Sequence, residues 1–166
     1  MKDETGQLQH AIFGAGCFWG VQFYFDQVPG VVRTMAGYSG GTTENPTYEE
    51  VCTHTTGHAE VVKIEFDPVA IDYEHLVRQF FRMHDPTQLN RQGPDVGDSY
   101  RSVIFYVTDE QKQIAEAVRD EAQAQHDAPI VTQIVSEQPF YEAEDYHQKY
   151  AERTGRGMCH IPYAPV

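Results

Sequence analysis

The chain has 166 residues, 40% of them apolar and 22% charged, which fits one soluble globular domain, 1–166, long enough to bury a sizeable core. Twelve basic against 25 acidic side chains leave a formal charge of −13 with no basic run, so nucleic acid is not an expected partner. Three widely spaced cysteines without a CxxC pair do not read as a secreted disulfide framework. The polar start MKDETGQLQH has no signal core and no apolar stretch is long enough for a bilayer, so the expectation is a cytoplasmic protein with no membrane contact.

Periodicity and turn chemistry order the elements along the chain. HAIF is a short apolar run that fits a strand. From Cys17 the period changes, and Phe18, Val21, Phe25 and Val28 fall at helical spacing. VPGV is a turn, VVRTMAGY a second strand and SGGTTENP a long loop. TYEE has the form of a capping box, with Thr47 capping and Glu50 three residues on, and predicts a short helix through Cys52. AEVVKIEFD alternates as a strand. DYEHLVRQFFRMH is a helix with Leu76, Phe80 and Met83 on one face, stopped by Asp85-Pro86. RQGPDVGDS is a loop, YRSVIFYV a strand, and TDEQKQIAEAVRDEAQAQH a helix with its own box from Thr108 to Gln111. IVTQIV is a strand and YEAEDYHQKYAER a last helix. TGRGMCHIPYAPV has little pattern and reads as coil, giving a core of about 10–150 and a tail of 151–166.

The order is β-α-β-β-α-β followed by α-β-α. Its first six elements match a ferredoxin-like split βαβ unit, which predicts an α+β two-layer sandwich with a mostly antiparallel or mixed sheet.

Cys17 falls where a strand becomes a helix. Unpaired N–H groups and the macrodipole there favour a thiolate, and Gly14, Gly16 and Gly20 allow close approach. The competing reading is a cysteine buried in an aromatic core. Glu60 shares a strand face with Val62, Ile64 and Phe66, so it points inward. A desolvated carboxyl holds its proton near neutrality, as a general acid must; the competing reading is a solvated strand end. Cys159, in the glycine-flanked tail, is either the second half of a redox pair with Cys17 or a spare thiol. Cys52 reads as a small buried hydrophobe. His54 and His58 are four apart, but HTTGH is a glycine-containing loop, and His75 and His84 lack matching partners, so no metal is expected. GAGCFWG is not a dinucleotide fingerprint.

GCFWG resembles the active-site signature of the peptide methionine sulfoxide reductase A family. GYSGG, NPTYEEVC, TGHAEVV, FFRMHDPTQLNRQGPDVGDSYRSVIFY and FYEAEDYHQKY are similar to that family too, in order, from about His10 to Tyr150. The resemblance implies the same two-layer α+β fold and reduction of the S epimer of methionine sulfoxide, free or in proteins. It implies Cys17 as nucleophile and Glu60 as acid. Tyr48, Tyr100 and Asp95 would hold the sulfoxide oxygen, directly or through water, and Phe18 and Trp19 would receive the methyl. It implies no bound cofactor. A Cys17 sulfenic acid would be resolved as a Cys17–Cys159 disulfide and reduced by a thioredoxin-like partner, with Cys52 outside the cycle. The tail matches least well, because Cys159 is the one cysteine there. Two other classes remain open: a thiol hydrolase or acyl-transfer enzyme pairing Cys17 with a histidine such as His58, and a non-catalytic thiol switch. Nothing demands an oligomer, and the expectation is a monomer.

Overall fold

The structure is a computed structural model and describes residues 8–156. In chain order its elements are β1 (Gln9–Ala15), α1 (Phe18–Asp26), β2 (Val31–Ser39), α2 (Tyr48–Cys52), β3 (Ala59–Phe66), α3 (Tyr73–Met83), the short strands β4 (Arg91–Gln92) and β5 (Asp95–Val96), β6 (Ser102–Tyr106), α4 (Asp109–Ala122), β7 (Gln133–Ser136), β8 (Phe140–Glu142) and α5 (Tyr150–Thr154). Local chemistry accounts for most helix starts. The Thr47 hydroxyl accepts the Glu50 N–H at 3.1 Å, and Glu50 Oε1 accepts the Thr47 N–H at 2.9 Å, completing the expected box at α2. At α4 the Thr108 hydroxyl accepts the Gln111 N–H. The Gln111 carboxamide reaches further, to the Val107 N–H and the His10 carbonyl, and so ties α4 to β1.

The main sheet runs β7-β6-β1-β3-β2-β8. β3 lies antiparallel between β1 and β2, and β6 closes antiparallel on β1, which is the split βαβ arrangement. β6 and β7 pair in parallel across α4, and β8 adds antiparallel to β2, so the sheet is mixed. α1, α3 and α4 cover one face, where Phe13, Val62, Ile64, Phe66 and Ile104 meet Val21, Phe25, Leu76, Phe80 and Val118. The sandwich is therefore two-layered and α+β, as expected from the sequence. Ile12, Ala59, Val61, Val103 and Phe105 form a smaller cluster with Phe140 against it. By strand alternation that cluster lies on the opposite face, so the start of β3 is buried on both sides, and Glu60 is buried with it.

Two expectations are corrected. RQGPDVGDS is not all loop, because β4 and β5 pair as a small hairpin. YEAEDYHQKYAER is not one helix, although its composition suits one. Phe140–Glu142 instead pairs with the β2 edge, and only Tyr150–Thr154 is α-helical. Between them the backbone is fixed by side chains. Gln148 Oε1 accepts the Ala36 N–H at 2.9 Å, and its Nε2 donates to the Ala36 and Ala143 carbonyls at 2.9 and 3.0 Å. The carboxamide continues the ladder where β8 stops. Lys149 follows with φ of 58°, its N–H donating to Gln22 and its ammonium to Asp26 and Thr34.

Gln148→Ala leaves the Ala36 N–H without that acceptor. The expected loss is about 1–3 kcal/mol of unfolding free energy, the cost of an orphaned buried donor. Urea denaturation with unchanged m-value checks it, and a loss below about 0.5 kcal/mol would show that water replaces the carboxamide freely.

Candidate active site

Cys17 occupies the N-cap position of α1, directly after Gly16, whose φ of 94° turns the chain out of β1. Its carbonyl accepts the Val21 N–H at 3.5 Å, and the residue is half-buried. The first amide of the helix does not turn to the thiol. The Phe18 N–H donates to Glu60 Oε1 at 3.2 Å, joining the start of α1 to β3. Glu60 is only 1% exposed, and its other oxygen, Oε2, is buried without a partner among the described residues. Burial pushes the carboxyl up to about 8, the Phe18 N–H pulling the other way and the nearby Asp95 carboxylate adding to the rise.

Tyrosines surround this carboxyl. Tyr38 stands opposite Glu60 in the β2–β3 register and is fully buried. Its hydroxyl donates to Glu144 Oε1 at 2.9 Å, while Glu144 Oε2 accepts the Tyr48 N–H at 3.0 Å. Burial pushes Glu144 upward, but those hydrogen bonds outweigh it and hold the carboxylate below its ordinary value. Tyr48 and Tyr100 both feel the charge of Glu60, and Tyr100 that of Asp95 and Cys17 as well. Burial is the main reason Tyr38, Tyr48 and Tyr100 titrate well above the usual phenol range, so each is a neutral hydrogen-bond donor at physiological pH.

The structure brings together Cys17, Phe18, Trp19, Tyr48, Glu60, Asp95 and Tyr100. Cys159 lies outside the described residues. Phe18 is wholly buried, its ring 5.6 Å from Tyr38, 6.4 Å from Tyr48 and 5.1 Å from His147. Of the two rings expected to meet a methyl group, Trp19 alone keeps exposed surface, and Tyr150 stacks on it at 3.9 Å. Cys52 is corrected. It is half-buried and one turn after Tyr48, whose hydroxyl donates to its sulfur; burial pushes this thiol up. The Tyr48–Cys52 spacing of four within a helix was the available signal. His147, Tyr150 and Glu144 also belong to the site. They were missed because their segment read only as a last helix.

His58 is not a base for Cys17. Its Nδ1 accepts the Gly41 N–H at 3.0 Å and its Nε2 meets the Thr43 carbonyl at 2.7 Å, so both nitrogens hold the 41–43 loop. That geometry removes the pairing the hydrolase reading needs. Among the described residues no group of three or more His, Cys, Asp or Glu side chains could hold a metal ion, and no helix is long and apolar enough to cross a membrane.

Residues 9–166 match the family model described as peptide methionine sulfoxide reductase. A peptide methionine sulfoxide reductase MsrA of Geobacter sulfurreducens is 57% identical over 158 residues, 94% of this chain and 98% of the relative. Reduced Mxr1 of Saccharomyces cerevisiae superposes with a TM-score of 0.85 at 32% identity, covering 99% of this chain and 92% of that one. Mxr1 in complex with Trx2 has the same fold, with a TM-score of 0.66 at 23% identity, covering 100% of this chain and 95% of that one. The arrangement around Cys17 and Glu60 thus sits in a fold and a sequence shared along nearly the whole chain, and the chain belongs to the peptide methionine sulfoxide reductase family, A type.

Proposed function

We propose that this chain reduces the S epimer of methionine sulfoxide, free or in proteins, with Cys17 as nucleophile and Glu60 as proton donor. The observation that carries this reading is the Glu60 carboxyl. Oε1 accepts the Phe18 N–H, so the proton of the neutral acid belongs on Oε2, which is buried and has no acceptor among the described residues. A sulfoxide oxygen beside Cys17 supplies that acceptor. A buried polar atom left without a partner is costly and calls for an explanation, and an incoming substrate is one.

The chemistry then balances. Glu60, with the Tyr100 hydroxyl and the Tyr48 hydroxyl turned from the Cys52 sulfur as further donors, protonates the sulfoxide oxygen and turns it into a leaving group. The Cys17 sulfur attacks the electrophilic sulfoxide sulfur, the oxygen passes to Cys17, and methionine leaves. Cys17 is oxidised by two electrons to the sulfenic acid and the sulfoxide is reduced by two. Cys159 attacks the sulfenic sulfur and expels water, and a thioredoxin-like dithiol reduces the Cys17–Cys159 disulfide. Mxr1 in complex with Trx2 supports that class of reductant. Asp95 stays near Glu60 and helps keep it protonated. With the methyl against Trp19 and the oxygen at Glu60, one configuration at sulfur fits. No bound cofactor is needed, and we place the reaction in one domain acting as a monomer in the cytoplasm.

Racemic methionine sulfoxide with thioredoxin, its reductase and NADPH should drive NADPH oxidation that stops with about half the substrate unreduced, all of one configuration. Cys17→Ser should abolish turnover, because serine cannot enter the thiol oxidation ladder. Full reduction of the racemate, or activity in Cys17→Ser free of contaminating enzyme, would falsify the assignment.

Glu60→Gln keeps the shape and removes the proton. The single-turnover rate should fall by roughly two to four orders of magnitude. In the wild type that rate should decline as pH rises through about 8, where Glu60 loses its proton, and the variant should lack that limb. Stability has a definite sign as well. The folded-state value lies above the ordinary 4.5, so the contribution of Glu60 is fully present below about 4.5 and is lost as pH rises through about 8. Thermal melts should therefore find Glu60→Gln gaining on wild type between those values, and a constant difference across that range would place the titration elsewhere.

Cys159→Ser leaves nucleophile and acid in place. Without reductant, wild type and variant should each form about one equivalent of methionine from the first sulfenic acid step, and with thioredoxin only the wild type should continue. Normal cycling by the variant would move the resolving thiol to Cys52 or remove it from the scheme.

A further inference from the structure

Among the described residues three histidines are fully or almost fully buried: His58, His84 and His147. Two are engaged at both ring nitrogens, His58 with Gly41 and Thr43, and His84 with the Phe80 carbonyl at 2.6 Å and the Ser102 hydroxyl at 2.7 Å. His147 differs. Its Nδ1 accepts the indole N–H of Trp19 at 2.8 Å, and its Nε2 is buried without a partner among the described residues. Because Nδ1 accepts, the neutral ring must carry its proton on Nε2. The imidazole also packs at 4.3 Å from Tyr48, 4.1 Å from Tyr146, 5.1 Å from Phe18 and 5.6 Å from Trp19. A phenylalanine would fill this space without burying an unpaired polar nitrogen. What the imidazole adds is an acceptor for Trp19.

We propose that His147 is a positioning residue of the substrate methyl pocket, its neutral ring holding the plane of Trp19, and that protonation of His147 releases the indole and weakens substrate binding. This rests on the reading of Trp19 as the methyl-binding ring. An imidazolium has N–H at both positions, so the indole N–H would face another donor instead of an acceptor. The titratable groups around His147 are Glu144 and Tyr146 of its own segment, Tyr48 of α2, and Tyr150 of α5 stacked on the far side of the pair; Glu49 and Cys52 of α2 lie beyond, near Tyr146. Of those closest, Glu144 is the charged one at neutral pH, and it favours the imidazolium. Burial outweighs it and holds His147 below its ordinary value, so the hydrogen bond is intact at neutral pH and is lost on acidification.

Trp19 is the only tryptophan, so intrinsic fluorescence reports on this pair without any substrate. Wild-type emission should change sigmoidally between about pH 4 and 7 with a midpoint below the ordinary histidine value of about 6.5, while far-UV circular dichroism stays constant. His147→Asn, whose carboxamide oxygen takes the place of the accepting nitrogen, should abolish the titration. His147→Phe should abolish it too and should raise KM for methionine sulfoxide at pH 7 by roughly two- to tenfold, the loss of one neutral hydrogen bond, with a smaller change in the single-turnover rate. His147→Asn should restore most of that affinity and remove the acid rise in KM. A wild-type fluorescence titration that is missing, or that persists in His147→Asn, overturns the proposal, as does a wild-type KM in His147→Phe. The two readings fail separately. Fluorescence titration without sulfoxide turnover would leave the Trp19–His147 pair standing and sink the catalytic reading. Turnover without the titration would do the reverse.

Discussion

The hydrogen bond from the Phe18 N–H to Glu60 Oε1 sets the geometry of everything around it. A first-turn amide of a helix has no partner within the helix and must find one outside. Here the partner comes from β3, 42 residues further along the chain, and the residue just before Phe18 is Cys17. Thiol and carboxyl are thereby held by adjacent backbone units and not by the chance fall of two side chains. The same bond occupies one carboxyl oxygen and leaves the other to carry the proton. Burial on both faces of β3 then keeps that proton in place at neutral pH.

From Glu60 the order spreads through tyrosines. Tyr38 lies opposite it in the sheet, its hydroxyl holds Glu144, and Glu144 holds the first amide of α2, where Tyr48 begins. α2 is only five residues long and could not stand alone. Its capping box and the Glu144 carboxylate anchor its start, which places Tyr48 against Phe18 and His147. Two buried atoms without partners among the described residues, Glu60 Oε2 and His147 Nε2, flank this aromatic group. Such atoms oppose stability, and a substrate seated beside Cys17, as proposed, would give Glu60 Oε2 a partner.

The split βαβ core was legible because its signals are local. Alternation in AEVVKIEF, helical spacing after Cys17, and the Thr47 box each depend on a few adjacent residues. Glu60 was legible for the same reason: a carboxylate in phase with Val62, Ile64 and Phe66 has to face inward. The segment after Pro139 was not legible, because its structure is decided elsewhere. The helical composition of YEAEDYHQKYAER is overruled by a free β2 edge that takes up Phe140–Glu142, and by backbone groups of Ala36 that Gln148 satisfies. No pattern within those residues announces either. Cys52 was misjudged because a thiol resembles a small hydrophobe until its neighbour is known to be a phenol.

This division has a consequence for how the site is built. Cys17 and Glu60, the proposed nucleophile and acid, come from the start of α1 and from β3, inside the core that the sequence encodes locally. The rings that frame Trp19, together with Glu144, come from the 140–154 segment laid along the sheet edge. β2 separates the two in the strand order, and its two sides connect them: Tyr38 faces Glu60 on β3, while Gly37–Ser39 pairs with β8. The Phe18–Glu60 hydrogen bond therefore belongs to the locally encoded core, and the pocket wall to the edge segment packed on it. On the proposed mechanism, substitutions at the α1–β3 junction act on the chemical step. On the same mechanism, those in the edge segment act first on the fit of the substrate, and reach Glu60 through Tyr38, Tyr48 and Phe18.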